Sequence, residues 1–201
     1  METTTPLGRD SRVRELRRGE GSRAWETSDC AFAALGTPVG PIIVSTDGHS
    51  IVGLEWDATA EATDPERERG RTEIDDGSPV LVEALAQLRA YFDGRLGDFD
   101  LPVDFGPISD VARAVLTTLV ETVAAGTTVT YGELAAASGT GIPARAVGGI
   151  MGLNPIPIIV PCHRVVSGAG LGGYSGGLPG NEIETKRRLL EWEDALPQPL
   201  F

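Results

Sequence analysis

Aromatic residues make up only 5% of the 201 residues, so a core built on large rings is excluded and Ala, Val, Leu and Ile must carry it. Cysteine is scarcer still. Cys30 and Cys162 are too few and too far apart for a disulfide framework, which points to a reducing compartment. No long apolar run occurs: the run Ile156 to Val160 is broken by Pro157 and is far too short to span a bilayer. The opening METTTPLGRDSRVRELRR has no apolar stretch of signal-peptide type. A soluble, cytoplasmic protein with no membrane partner is the expectation. Positive charge is also lacking, and a formal net charge of -12 argues against a generic polyanion binder. The acidity is local, however. Residues 44–105 hold fifteen acids and five bases, whereas residues 106–175 hold three of each, so the second block is free to approach an anion.

What is present organises the chain into three parts. Residues 1–28 are polar, Arg-rich and without apolar periodicity, and read as a disordered extension. Residues 31–105 read as an α/β domain. Ile42–Val44 and Ile51–Leu54, joined through Asp47-Gly48, predict a hairpin. Residues 59–78 are charged and predict a loop. Ser78-Pro79 opens a helix whose Leu81, Leu85, Leu88 and Phe92 share a face and which Gly94 ends, and Leu101–Phe105 predicts a short strand.

Residues 106–196 read as a mainly helical domain. Val111, Val115, Leu119 and Val123 form an expected helical stripe stopping at Gly126. Thr127–Thr130 is extended, and Tyr131–Ala137 predicts a short helix. A Gly139-Thr140-Gly141 turn leads to another helix from Pro143 through Met151. Two short helices across a glycine turn have the form of a helix-turn-helix, which many core αα-corners share. The expected fold class is α/β in the α+β sense, with a small antiparallel sheet in the first domain and a mainly helical second domain.

Chemistry concentrates in Asn154-Pro-Ile-Pro-Ile-Ile-Val-Pro-Cys162-His163-Arg164-Val-Val166. Adjacent side chains on an extended strand point to opposite faces, so Cys162 and His163 can couple only through a kinked backbone or a bridging water. Coupled, the imidazole takes the thiol proton and creates the nucleophilic thiolate. Uncoupled, they are a buried cysteine and a structural histidine. Cys30, His49, Cys162 and His163 match no metal-ligand spacing, so no metal is expected. The glycine-rich stretch 168–177 lacks the Gly-Lys-Ser/Thr of a phosphate loop.

The string PCHRV, with NPIPIIV before it and GGYSGG after it, resembles the active-site region of O6-alkylguanine–DNA alkyltransferases, also called methylated-DNA–protein-cysteine methyltransferases. The likeness extends to Thr130-Tyr131-Gly132-Glu133-Leu134-Ala135, to Ala144-Arg145-Ala146-Val147-Gly148-Gly149 and to KRRLLEWE. In the N-terminal half it covers TPVGPIIVSTDGHSIVGLEW and LRAYFDG. The departures are four: the helix over Val111–Leu119 lacks the family's aromatics, Ala124 stands where a Pro is common, the loop from Val166 to Tyr174 is one residue short, and the segment from Gly177 to Lys186 is about five residues longer.

The resemblance implies a winged helix-turn-helix in the second domain. It also implies a single-use DNA repair enzyme, with no dissociable cofactor, that moves an alkyl (methyl) group from O6-alkylguanine to its own cysteine after base flipping. Cys162 then matches the acceptor, His163 the base acting through water, and Glu193 the carboxylate orienting that histidine, with Glu191 the alternative because of the longer segment. Asn154 matches the residue fixing the site's turn, and Tyr131 the hydroxyl near the leaving base. Arg145 matches the side chain that replaces the flipped nucleotide, with Ala144 and Gly148 allowing close approach to DNA. Met151, Tyr174, Ser175 and Val165 match the substrate pocket. The implied partner is double-stranded DNA bound through its minor groove by a monomer. A lesion-sensing relative without transfer is the alternative, but such relatives lack the acceptor cysteine that Cys162 supplies.

Overall fold

In the computed structural model, residues 30–58 and 78–196 are described. The expectations for residues 1–28 and for the loop over 59–77 lie outside them. Strands β1 (Ala31–Leu35), β2 (Ile42–Thr46) and β3 (Ile51–Trp56) form an antiparallel sheet in that order. The β2–β3 hairpin turns at Asp47-Gly48. Asp47 Oδ1 accepts from the amides of His49 and Ser50 at 2.8 and 2.7 Å, and Gly48 takes φ +93°, a conformation that suits glycine. Strand β1 was not foreseen, because its buried Ala31, Ala33 and Leu35 alternate with Phe32 and Ala34 and give little contrast.

Helix α1 (Pro79–Phe92) lays Leu81, Ala84, Leu85 and Leu88 on this sheet and ends before Gly94, which has φ +70°. Leu101–Phe105 is not a strand. Val103 makes a single bridge to Ile51 at the free edge of β3, and Pro102 has no amide to extend a ladder.

Helix α2 (Asp110–Thr122) begins at Ser109, whose side chain accepts from Ala112 N at 3.2 Å. Its buried face is Ala112, Val115, Leu116 and Leu119. Val111 is 40% exposed, so the expected stripe was displaced by one residue at its start, and the helix ends at Thr122, well before Gly126, because Val123 turns extended. Strand β4 (Val129–Thr130) pairs in parallel with β5 (Val165–Val166). Helix α3 (Tyr131–Ala137) starts with a reciprocal cap between Thr130 and Glu133. Gly139 and Gly141, at φ +63° and +72°, turn the chain into α4 (Ala144–Met151), which packs on α3. Helix α5 (Glu182–Trp192) closes the described chain. No described helix is long and apolar enough to cross a membrane.

Candidate active site

The segment between α4 and β5 holds a strained turn. Ile158 is fully buried at φ +73°, an unusual conformation for a β-branched residue. Asn154 braces it: Oδ1 accepts from Ile156 N at 3.0 Å and Nδ2 donates to Val160 O at 2.9 Å. The same Nδ2 lies 3.2 Å from Cys162 Sγ. Asn154 therefore ties the shape of the turn to the position of the thiol.

Cys162–Arg164 form one turn of 3-10 helix, which supplies the kink that an extended strand lacks. Cys162 is 4% exposed, and burial pushes its thiol pKa up against the opposing pull of Asn154 and Lys186. It rests protonated and needs a base. His163 is fully buried, and its Nε2 lies 2.9 Å from Glu193 Oε1. Burial pushes the imidazole pKa down, more than Glu193 raises it, so His163 is neutral. Burial alone would raise the Glu193 carboxyl, but the bonds from His163 and Arg164 outweigh it and hold it at about 2. A neutral imidazole facing an ionised carboxylate carries its proton on Nε2. Its Nδ1 is then a bare acceptor, and this atom is buried without a protein partner among the described residues. Glu191, the alternative, is instead on the surface, paired with Arg187.

Above the thiol opens a cavity of about 520 Å³. Cys162 and Met151 form its inner end, and Tyr131, Tyr174 and Ser175 stand along it. Ala144, Arg145 and Gly148 of α4 make its rim. Tyr131 Oη donates to Gly173 O at 3.3 Å, and burial raises its pKa, so it stays a proton donor. Tyr174 Oη is buried with no partner among the described residues, and its ring meets Trp56 edge-on at 6.5 Å. Arg145 is exposed and makes no hydrogen bond or ion pair among the described residues. Val165 does not line the cavity. It is fully buried on β5, with its carbonyl accepting from Lys186 Nζ at 2.6 Å.

Three residues of this region escaped the sequence reading. Lys186 is fully buried, bonded also to Gly173 O at 2.9 Å, and burial lowers its pKa to about 8. Arg164 is 2% exposed and forks between Glu193 and Asp98, with further bonds to the carbonyls of Val123 and Gly97. Tyr91 of α1 donates to Glu193 Oε1 at 2.8 Å. The one available signal was an arginine set inside an apolar run, since such a charge is buried only with partners.

Residues 31–105 match the family model described as 6-O-methylguanine DNA methyltransferase, ribonuclease-like domain, and residues 110–195 match its DNA binding domain. The methylated-DNA–protein-cysteine methyltransferase of Mycobacterium tuberculosis is 38% identical over 163 residues, covering 81% of this chain and 91% of that one. The protein of that name from Mus musculus is 36% identical, covering 76% and 77%. The crystal structure of Mycobacterium tuberculosis O6-methylguanine methyltransferase superposes with a TM-score of 0.63 at 37% identity, over 83% of this chain and 94% of that one. A structure of the mycobacterial protein in complex with DNA gives 0.62 at 37% identity, over 80% and 91%. Two domain models end to end, relatives matched over most of their length and a common fold lead to one conclusion: the chain belongs to the 6-O-methylguanine DNA methyltransferase family.

Proposed function

We propose that this protein repairs DNA by transferring an alkyl group from the O6 of guanine to Cys162, once per molecule. The observation that carries this reading is a buried thiol at the end of an open cavity, backed by a neutral histidine that a carboxylate orients. His163 Nδ1 takes the thiol proton through a water. The Cys162 thiolate attacks the alkyl carbon, the S–C bond forms as the O6–C bond breaks, and the electron pair leaves with the guanine. Tyr131, whose phenol stays protonated, donates toward the leaving base as its negative charge develops. The thioether product has no step that regenerates the thiol, so no turnover follows.

DNA recognition is assigned to α3 and α4. The O6 of a paired guanine lies inside the duplex, so the nucleotide must rotate out, at about a few kcal/mol. Arg145, unpartnered at the rim, fills the gap. Ala144 and Gly148 keep the α4 surface low enough for the minor groove, where sequence discrimination is weak, as a repair protein requires. Met151, Tyr174 and Ser175 surround the extruded base. Residues 31–105 and 106–196 act as the two domains of a monomer in the cytoplasm, a reducing compartment that keeps Cys162 a free thiol. The test is base analysis of a duplex carrying O6-methylguanine. The wild-type chain restores guanine in proportion to protein added, and Cys162→Ala restores none. A duplex left unchanged by the wild type refutes the reading.

A further inference from the structure

Glu193 caps its own helix by its backbone, donating its N–H to Leu189 O at 3.1 Å, but that helix does not hold its carboxylate. It lies one residue past α5, and Asp194 after it has φ +54°. Its carboxylate is instead gripped by donors from elsewhere. Arg164 Nε reaches Oε2 at 2.9 Å and Nη2 reaches Oε1 at 3.0 Å, while His163 Nε2 lies 2.9 Å from Oε1. Both of these residues come from the Cys162 turn. The remaining donor, Tyr91 Oη at 2.8 Å, comes from α1, on the other side of the molecule's two-part fold. Tyr91 is 1% exposed, and its ring is wedged between Phe92 and Phe99 at centroid distances of 5.0 and 5.3 Å. Its carbonyl accepts from Trp192 Nε1 at 3.0 Å. One residue of α1 thus holds Glu193 by its hydroxyl and the neighbouring Trp192 by its backbone.

We propose that Tyr91 is a positioning residue for alkyl transfer, a hydroxyl delivered by α1 that fixes Glu193 against His163. The proposal rests on the alkyl-transfer reading above. Oε1 meets Tyr91, His163 and one arm of Arg164, so each donor takes a share of its electron density. Burial and the Glu193 charge keep the Tyr91 phenol protonated, which makes it a constant donor. Remove that hydroxyl and Oε1 turns more fully to His163, which favours the imidazolium. An imidazolium cannot accept the thiol proton. The charged and titratable groups facing this pair are Arg164, Asp98, Lys186, Cys162 and Tyr174, whose hydroxyl makes no hydrogen bond among the described residues, together with Tyr91 itself. Of these, Tyr91 is the one whose donating group can be deleted while its ring stays in place.

The test is the pH profile of transfer to Cys162 in the full chain, measured on duplex O6-methylguanine DNA. Tyr91→Phe keeps the ring packing and deletes only the hydroxyl. Transfer is expected to slow about ten-fold, the scale of one hydrogen bond to a charged group. The acid limb of the profile moves upward by about half a pH unit or more as His163 becomes easier to protonate. A difluorotyrosine placed at 91, a stronger donor of the same shape, moves the limb down, and it decides the matter if the Phe variant is unstable. An unmoved limb in the Phe variant overturns the proposal, even with a lower melting temperature, because packing alone then explains Tyr91; an unmoved limb in the fluorinated chain overturns it too. A wild-type chain that transfers nothing sinks the alkyl-transfer reading instead, and the two failures are distinct.

Discussion

The inner end of the cavity and its rim are built on opposite terms. At the inner end, the side chains of Cys162, His163, Arg164 and Glu193 are almost wholly buried, and their polar contacts run to one another and to Asn154, Tyr91 and Asp98. At the rim, Ala144, Arg145 and Gly148 are exposed, and Arg145 has no partner among the described residues. A proton relay needs fixed angles and low dielectric, which burial and many bonds provide. A DNA-entering side chain needs freedom, since any bond made to the protein must be broken on binding. Changes at the inner end should therefore alter chemistry and stability, and changes at the rim should alter only the handling of duplex DNA.

The largest break is at the thiol. Cys162→Ser abolishes transfer while duplex affinity measured by fluorescence anisotropy stays near that of the wild type, because a buried thiol makes little contact with DNA. Arg164→Met comes next. Stripping one partner from a buried ion pair costs about 3–5 kcal/mol, so the midpoint of urea unfolding falls, and transfer falls with it as Glu193 loses its hold. Arg145→Ala is the converse. Transfer from duplex slows by about one to two orders of magnitude, from the loss of a stacking plane worth about 1–3 kcal/mol. Free O6-benzylguanine, which needs no rotation out of a stack, reacts at nearly the wild-type rate. Equal loss on both substrates would place Arg145 with the inner groups and erase the distinction.

Smaller effects sharpen the same contrast. Glu193→Gln slows transfer and raises the apparent thiol pKa, whereas Glu191→Gln, which breaks only the exposed pair with Arg187, leaves the rate unchanged and stability within about 0.5 kcal/mol. The pH dependence of stability has a defined sign. The Glu193 pKa is about 2 in the folded chain against an ordinary 4.5, so its contribution is complete above about pH 4.5 and is lost as pH falls toward 2. Acid unfolding of Glu193→Gln should lack that part of the transition.

Much of this arrangement is legible in the chain, for local reasons. The hairpin is announced by Asp47-Gly48, and the α3–α4 pair by Tyr131–Ala137, two turn glycines and Pro143. The nucleophile and base are adjacent in sequence. What the sequence does not disclose is carried by long-range contacts. Tyr91 and Glu193 lie 102 positions apart, and Arg164 reaches Asp98 across 66. Neither pairing has a periodic or motif signal. The 3-10 kink at Cys162–Arg164 follows directly on the turn that Asn154 braces through Val160 O, a contact with no motif signal. Val111 is misread because a valine at the exposed start of α2 extends the apolar pattern without being in the core. Leu101–Phe105 is apolar enough for a strand, but Pro102 limits it to one bridge.

The most direct measurement is the stoichiometry and site of alkylation with an excess of duplex O6-methylguanine DNA, read by intact mass and peptide mapping. The buried relay predicts a plateau at one added methylene per chain, all of it on Cys162 and none on Cys30. A plateau above one, continued guanine release after it, or modification at Cys30 would contradict a single-use acceptor at the end of this cavity.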